Sequence, residues 1–287
     1  MYHSMQEDLL NTNGISITYG TVSQPMPALP HDHNFDEIVI ILNGSAVQYI
    51  NSECYPVSAG DVYIVKGESI HYFLEQHNFK VFNIGFQPWV LNDFSRLVAR
   101  TPGYAALFNA EPAYRRQSHF SQHLHLDAQP LHVLTQLLHA LKDAFECDSN
   151  DLVVTALFMQ ITGFLCRSYH ETARGSVRHD NPYTNIINYI NSNFTSTITL
   201  EELSQYSGLS KNGIIAIFKR LYHTTPIQYI NTLRVYRAED LLRSTDMSIT
   251  QVALECGFND SNYFTRTFRA INGMTPRDFR NISHSTF

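Results

Sequence analysis

A chain of 287 residues is longer than one domain usually needs, and 44% hydrophobic with 16% charged residues is an ordinary globular composition. No apolar run approaches the roughly 20 residues of a membrane span, and the start MYHSMQEDLL carries acids where an export signal would carry basic residues, so a soluble, cytoplasmic protein of two domains is expected. The net charge of −6 is uneven: residues 1–182 hold 10 Lys+Arg against 18 Asp+Glu, and residues 183–287 hold 10 against 8, which leaves the second part free to approach phosphates.

The first ninety residues read as strands. EIVIILNG, AVQYI, YPVSAGDVYIV and KVFNIGF are short β-branched and aromatic runs punctuated by Gly, Asn and Pro, at the spacing of a small barrel or sandwich. From Pro130 the period changes. Leu131, Leu134, Leu138, Leu141 and Phe145 recur at three and four, the alternation of a coiled-coil seam, which predicts a helix that dimerises or else pairs within the chain with the apolar segment 152–169. The polar stretch 171–182, with Gly and Pro and no apolar stripe, predicts a linker. The four cysteines lack metal-type spacing and are expected to be buried or half-buried thiols.

The last hundred residues hold a loose repeat. Thr199 and Glu202 form a capping box before a short helix, Ser207-Gly208-Leu209 turns the chain, and Ser210 caps a second helix ending in Phe-Lys-Arg. Ser248 and Gln251 repeat the box, Cys256-Gly257-Phe258 repeats the turn, and Asp260 or Ser261 caps a helix carrying Phe264, Arg266, Phe268 and Arg269. Between the units Pro226 opens a helix to about Arg243, with Ile227, Ile230, Leu233, Ala238, Leu241 and Leu242 as its buried side. Helix, Gly-containing turn and helix is the shape that presents a recognition helix to the major groove, and this connector is long enough to serve two successive grooves.

These residues resemble the AraC/XylS transcription regulators. The resemblance rests on 249–269, ITQVALECGFNDSNYFTRTFR, followed by Gly273-Met-Thr-Pro276 and Phe279-Arg280, and with the first unit it covers about 184–280. It implies double-stranded DNA and RNA polymerase as partners. By position it turns Ser261, Asn262, Thr265 and Arg266 toward bases from the second recognition helix, and Asn212, Ile215 and Ala216 from the first. Lys219, Arg220 and Arg269 would hold phosphates. The first helix departs from the family at Gly213, Ile215 and Ala216, which cannot make bidentate bonds to bases and suit thymine methyls, shape or phosphate instead.

In the first half, His31, His33, Glu37 and the later His71 after Gly60-Asp61 resemble the cupin metal-ligand pattern, with Lys66 and Glu68 where a cupin enzyme usually has Pro and Gly. Three readings stay open for these four residues: effector contact without metal, a divalent metal site, and a satisfied polar cluster. HNFDEIVIILNG, AGDVYIVKGESIH and FNIGF look most like the L-rhamnose-responsive activators, which implies a small sugar as effector, L-rhamnose being a candidate. The single Trp89 could stack on a sugar ring, although a core role is the commoner one.

The expected fold class is α+β: a cupin-like β-barrel sensor over 1–125, a helical dimerisation segment over 128–170, a linker over 171–182 and an all-α DNA-binding domain over 183–287. The expected function is an effector-responsive transcription regulator working as a homodimer. Its rivals are a metal-dependent cupin enzyme and a regulator without effector, controlled by its abundance.

Overall fold

The run DEIVII at 36–41 has no exposed residue because both of its faces are covered, whereas LNGSAVQYI after it alternates between buried and more exposed positions. In the computed structural model, which describes residues 3–5, 10, 14–21, 26, 29–94, 97–98, 101–115, 120, 123–147, 151–175, 182–222 and 224–285, two long strands are the spine of the first half. The strands are β1 (His3–Met5), β2 (Ile15–Gly20), β3 (His31–His33), β4 (Asp36–Ile50), β5 (Glu53–Ser58), β6 (Asp61–Val65), β7 (His71–Phe86) and β8 (Leu124–His125). β4 and β7 pair antiparallel along their lengths; β6 and then β5 continue from the other edge of β4, and β2 and β3 from the other edge of β7. The two segments EIVIILNG and AVQYI are thus one strand, bent by register shifts between Ile41 and Val47. Gly44 sits in that bend at φ 74°, and a Cβ there would lie 2.2 Å from the His77 carbonyl oxygen, so only glycine lets the strands approach.

The mixed fold is the expected one, with one difference. Among the described residues the path β1-β3-β7-β4-β6-β8 has no pair joining its ends, so the sheet is open rather than a closed barrel. The strand period sorts its side chains into two layers. Ile38, Ile40, Val62, Ile64, Phe82, Ile84 and Phe86 face the helices, whereas Val39, Ile41, Tyr63, Val65, Phe73 and Val81 fill the opposite face.

After α1 (Pro88–Asp93), a π-turn over Ala106–Ala110 runs into α2 (Glu111–Tyr114), and then come α3 (Ala128–Glu146) and α4 (Asp151–Gly175). The leucine stripe of α3 is not a free seam. Leu134, Leu138 and Leu141 are wholly buried in the same cluster as Phe158, Ile161 and Leu165 of α4 and Ile38 and Phe86 of the sheet. The three-four alternation is therefore spent inside the chain, because a helical hairpin needs the same period as a coiled coil. α4 is also long and apolar enough over 151–172 to pass for a membrane span by length and composition, contrary to the reading of apolar runs, yet its Val154, Phe158, Leu165 and Tyr169 lie in this core. It continues through Gly175, so 171–175 of the expected linker are helix, and 176–181 lie outside the described residues.

The chain divides into two compact units, Met1–Asn181 and Pro182–Phe287. The second is all helix: α5 (Pro182–Asn193), α6 (Leu200–Ser207), α7 (Lys211–Tyr222), α8 (Pro226–Ser244), α9 (Ile249–Glu255), α10 (Ser261–Asn272) and α11 (Pro276–Ser285). Ile227 departs from the expected buried side of α8, being 38% exposed in its first turn. Cys54 and Cys147 depart likewise. Both are exposed, Cys54 on the outward phase of β5 and Cys147 at the end of α3, while Cys166 and Cys256 are buried.

Candidate functional site

The second unit presents two helices outward. Thr199 and Glu202 close one capping box, Ser248 and Gln251 another, and Thr225 with Gln228 a third that opens α8. Asp260 caps α10, its Oδ1 accepting from the Asn262 amide at 2.8 Å. Gly257 makes the second turn at φ 87°, and a Cβ there would lie 2.4 Å from the Thr195 carbonyl oxygen, so this turn tolerates no side chain.

Burial divides each recognition helix. In α10, Phe264 and Phe268 are wholly buried, and Asn262, Arg266 and Arg269, at spacings of four and three, are exposed on one face. Ser261 and Thr265 are half-buried beside them, and the Thr265 hydroxyl donates to the Ser261 carbonyl at 2.9 Å. In α7, Ile214, Ile217 and Phe218 are buried, whereas Asn212, Ala216, Lys219 and Arg220 are exposed and Ile215 is half-buried. The exposed face of α7 between Asn212 and Lys219 carries methyl groups, and that of α10 carries guanidinium groups.

Two supports of this surface were not evident in the sequence. Asn231 of α8, 6% exposed, donates from Nδ2 to the Tyr263 hydroxyl at 2.8 Å, tying the connector to α10. Arg234 donates to the carbonyls of Phe194 and Ser196 at 2.6 and 2.8 Å, and its guanidinium lies over the Phe258 ring, so this cation braces the unit. Neither has a local sequence signal, since the partners stand 32 to 40 residues apart.

In the first unit, β3, the start of β4 and the start of β7 bring His31, His33, Glu37 and His71 together, all buried. The His31 and His71 rings meet edge to face with centroids 4.4 Å apart, and those of His33 and His71 at 4.9 Å. Each Nδ1 faces a main-chain carbonyl two residues away: Leu29 at 3.0 Å, Phe35 at 2.6 Å and Ser69 at 3.1 Å. A ring that donates its Nδ1–H in this way keeps its lone pair on Nε2. Glu37 Oε2 stands 3.8 Å from His33 Nε2 and 3.4 Å from His71 Nε2, and both His33 Nε2 and Glu37 Oε2 are buried without a hydrogen-bond partner. Burial pulls His31 below the ordinary imidazole range, helped by His71. Burial opposes charge on His33 and Glu37 too, but their mutual attraction, with His71 acting on Glu37, raises the former and holds the latter well below the usual carboxylate range.

Orphaned atoms, oriented rings and one carboxylate are a donor set that fits a divalent cation of borderline softness. The same atoms could meet hydroxyl groups. Lys66, at the departure from the cupin enzyme pattern, donates to Asp36 at 2.6 Å beside Glu37. Glu68 takes a left-handed φ of 66° so that its amide reaches the His33 carbonyl at 2.8 Å. A cavity of about 160 Å³ is lined by Asn51, Tyr55, Lys66, Ser69 and Arg115 among others, and its Ile50 is the cross-strand partner of His71. Arg115 is wholly enclosed, donating to Glu111 at 2.9 and 2.7 Å and to the Ile64 carbonyl, an ion pair absent from the sequence reading. Trp89 is 47% exposed, so it is not a core residue.

Residues 17–161 match the family described as AraC-like ligand binding domain, and residues 203–282 match a helix-turn-helix domain. The chain is 29% identical over 261 residues to the HTH-type transcriptional activator RhaS of Salmonella schwarzengrund, covering 89% of both chains. It is 28% identical to the protein of that name from an Enterobacter strain, again over 89% of each. Among solved structures it is similar to a probable AraC family transcriptional regulator from Rhodopseudomonas palustris, at 30% identity, 36% of this chain, 97% of that one and a TM-score of 0.34. With a ligand-binding domain of this type over half its length and a helix-turn-helix domain behind it, the chain belongs to the AraC family of transcription regulators.

Proposed function

We propose that the protein is a transcription activator that answers to a small, neutral, polyhydroxylated effector, with L-rhamnose a named candidate. The observation that carries the effector class is the state of the charges around the cavity. Lys66 is paired with Asp36 and Arg115 with Glu111, so the described lining, which adjoins the cluster through Ser69 and Ile50 without including its four residues, offers directed polar groups and leaves neither cation spare for an anionic ligand. The relatives' printed name, transcriptional activator RhaS, agrees with activation. Membership in a family of regulators removes the cupin-enzyme alternative.

In this reading His31, His33, Glu37 and His71 hold the effector, directly or around a divalent cation, which would supply a Lewis-acidic point for a hydroxyl oxygen. DNA is met by Asn212, Ile215, Ala216, Ser261, Asn262, Thr265 and Arg266 at bases and by Lys219, Arg220 and Arg269 at phosphates. The protein works in the cytoplasm as a homodimer that contacts RNA polymerase, through a dimer face other than the Leu134–Leu141 stripe. An effector shifts such a regulator only by its differential affinity for two states. Footprinting with and without sugars, including L-rhamnose, tests the proposal, and His33→Ala should abolish the response while leaving operator affinity without effector nearly unchanged. Full induction of that variant would reduce the cluster to structure, and occupancy unaffected by any sugar would favour control by abundance.

A further inference from the structure

A second cluster of ligand-type side chains takes no part in the site above. Asp61, His123 and His125 each offer an atom within 4.8 Å of the others. Asp61 and His125 stand opposite one another in the short β6–β8 ladder, and His123 precedes β8 by one residue.

Each group is already oriented. Asp61 is 4% exposed, and its Oδ2 accepts from the Ser58 amide at 2.7 Å and the Ser58 hydroxyl at 3.3 Å. This turns Oδ1 toward His123 Nε2 at 2.9 Å and His125 Nδ1 at 2.7 Å. His123 Nδ1 faces the Phe120 carbonyl, the same outer bond that fixes the three buried imidazoles of the first cluster and that orients histidines at metal sites. The side chains grade outward, 6% exposed at Asp61, 18% at His123 and 52% at His125, so the convergence point has an open side for water.

We propose that Asp61, His123 and His125 bind a divalent cation such as zinc, nickel or cobalt, with water completing its coordination. Two imidazoles and one carboxylate without sulfur suit these ions better than magnesium or calcium. Ligands about 2.0–2.1 Å from an ion stand about 2.9 Å apart at right angles and about 3.3 Å apart at the tetrahedral angle. The observed spacings reach that range with a small outward swing of the exposed His125 ring. The consequence is mechanical: β8 has two residues and leads directly into α3, so a bound ion would clamp the entry to the helical hairpin onto β6.

The test uses the full chain after chelator dialysis, equilibrated with micromolar free Zn²⁺, for the native protein, His125→Ala, His33→Ala and the double variant. Bound zinc per chain and the zinc-dependent change in thermal midpoint are measured. His125→Ala should hold about one equivalent less than its parent in both backgrounds and lose its share of the midpoint rise. Asp61→Asn, which keeps the side chain's shape and its acceptor for Ser58, should weaken zinc at this site by more than about tenfold. Equal zinc content and an equal midpoint rise in both Asp61→Asn and His125→Ala would overturn the proposal. The His33→Ala background reports separately on the buried cluster, so either site can fail without the other.

Discussion

Arg266 and Lys219 are both exposed cations on helices, and the proposed DNA contacts give them different work. Arg266 shares its face with Asn262, in the early turns of α10 where a recognition helix meets base edges. A guanidinium there can grip guanine O6 and N7, which discriminates bases by about 1–3 kcal/mol. Arg266→Ala should therefore relax the preference at one base pair, whereas Lys219→Ala should weaken all DNA about equally and lower the salt dependence by about one ion. Binding to an operator library at several salt concentrations separates the two, and an unchanged base preference in Arg266→Ala would remove that helix from the major groove. Leu138 carries the opposite lesson. It is wholly buried between the hairpin and the sheet, so Leu138→Ala should cost about 2–5 kcal/mol in denaturant unfolding and leave the oligomeric state of the folded protein unchanged. Dissociation to monomers without loss of stability would restore the stripe as a dimer seam.

The helices α6 to α10 of the second unit were legible as elements because their ends are written locally, whereas α5 and α11 were not read from the sequence. Capping boxes at Thr199 and Ser248, the Asp260 cap, Pro226 at the start of α8 and glycines after α6 and α10 all act within four residues. What holds one helix against another is not local. The bond from Asn231 to Tyr263 joins α8 to α10, and Tyr263→Phe would leave a buried amide donor unpaired, costing about 1–3 kcal/mol in thermal or chemical unfolding. An unchanged midpoint would mean that water takes the place of the hydroxyl. In the sheet, hydrophobic runs announced strands, but the join of 37–44 to 46–50 as one bent strand depended on its pairing with β7.

Across the whole molecule the chain parts into units ending at Asn181 and beginning at Pro182, each with its own core. A fragment of residues 182–287 should fold alone and bind the operator without responding to the effector, as gel-shift titrations with and without sugar would read. A fragment that is unfolded by circular dichroism would show that the second unit depends on the first. This division bears on activation, because effector and DNA occupy different units and the response must be carried by a change in the equilibrium between two states.

Caps and period, which act over a few residues, made the two helix-turn-helix units, the outward sides of α7 and α10 and the α+β class legible in the chain by itself. The four residues of the buried cluster were singled out by resemblance, and His71 reaches the other three only through the pairing of β3 with β7. Tertiary structure alone decided that Leu134, Leu138 and Leu141 point into the chain's own core and that the sheet stays open. It also buried the Glu111–Arg115 pair, four residues apart, against the Ile64 carbonyl and set Asp61 against His123 and His125, 62 and 64 residues away. His-Leu-His at 123–125 repeats the spacing of His31 and His33 and was visible as such. Its partner carboxylate was not, because the pairing of β8 with β6 is settled by burial of apolar faces, a non-directional force that leaves no local mark on the residues it brings together.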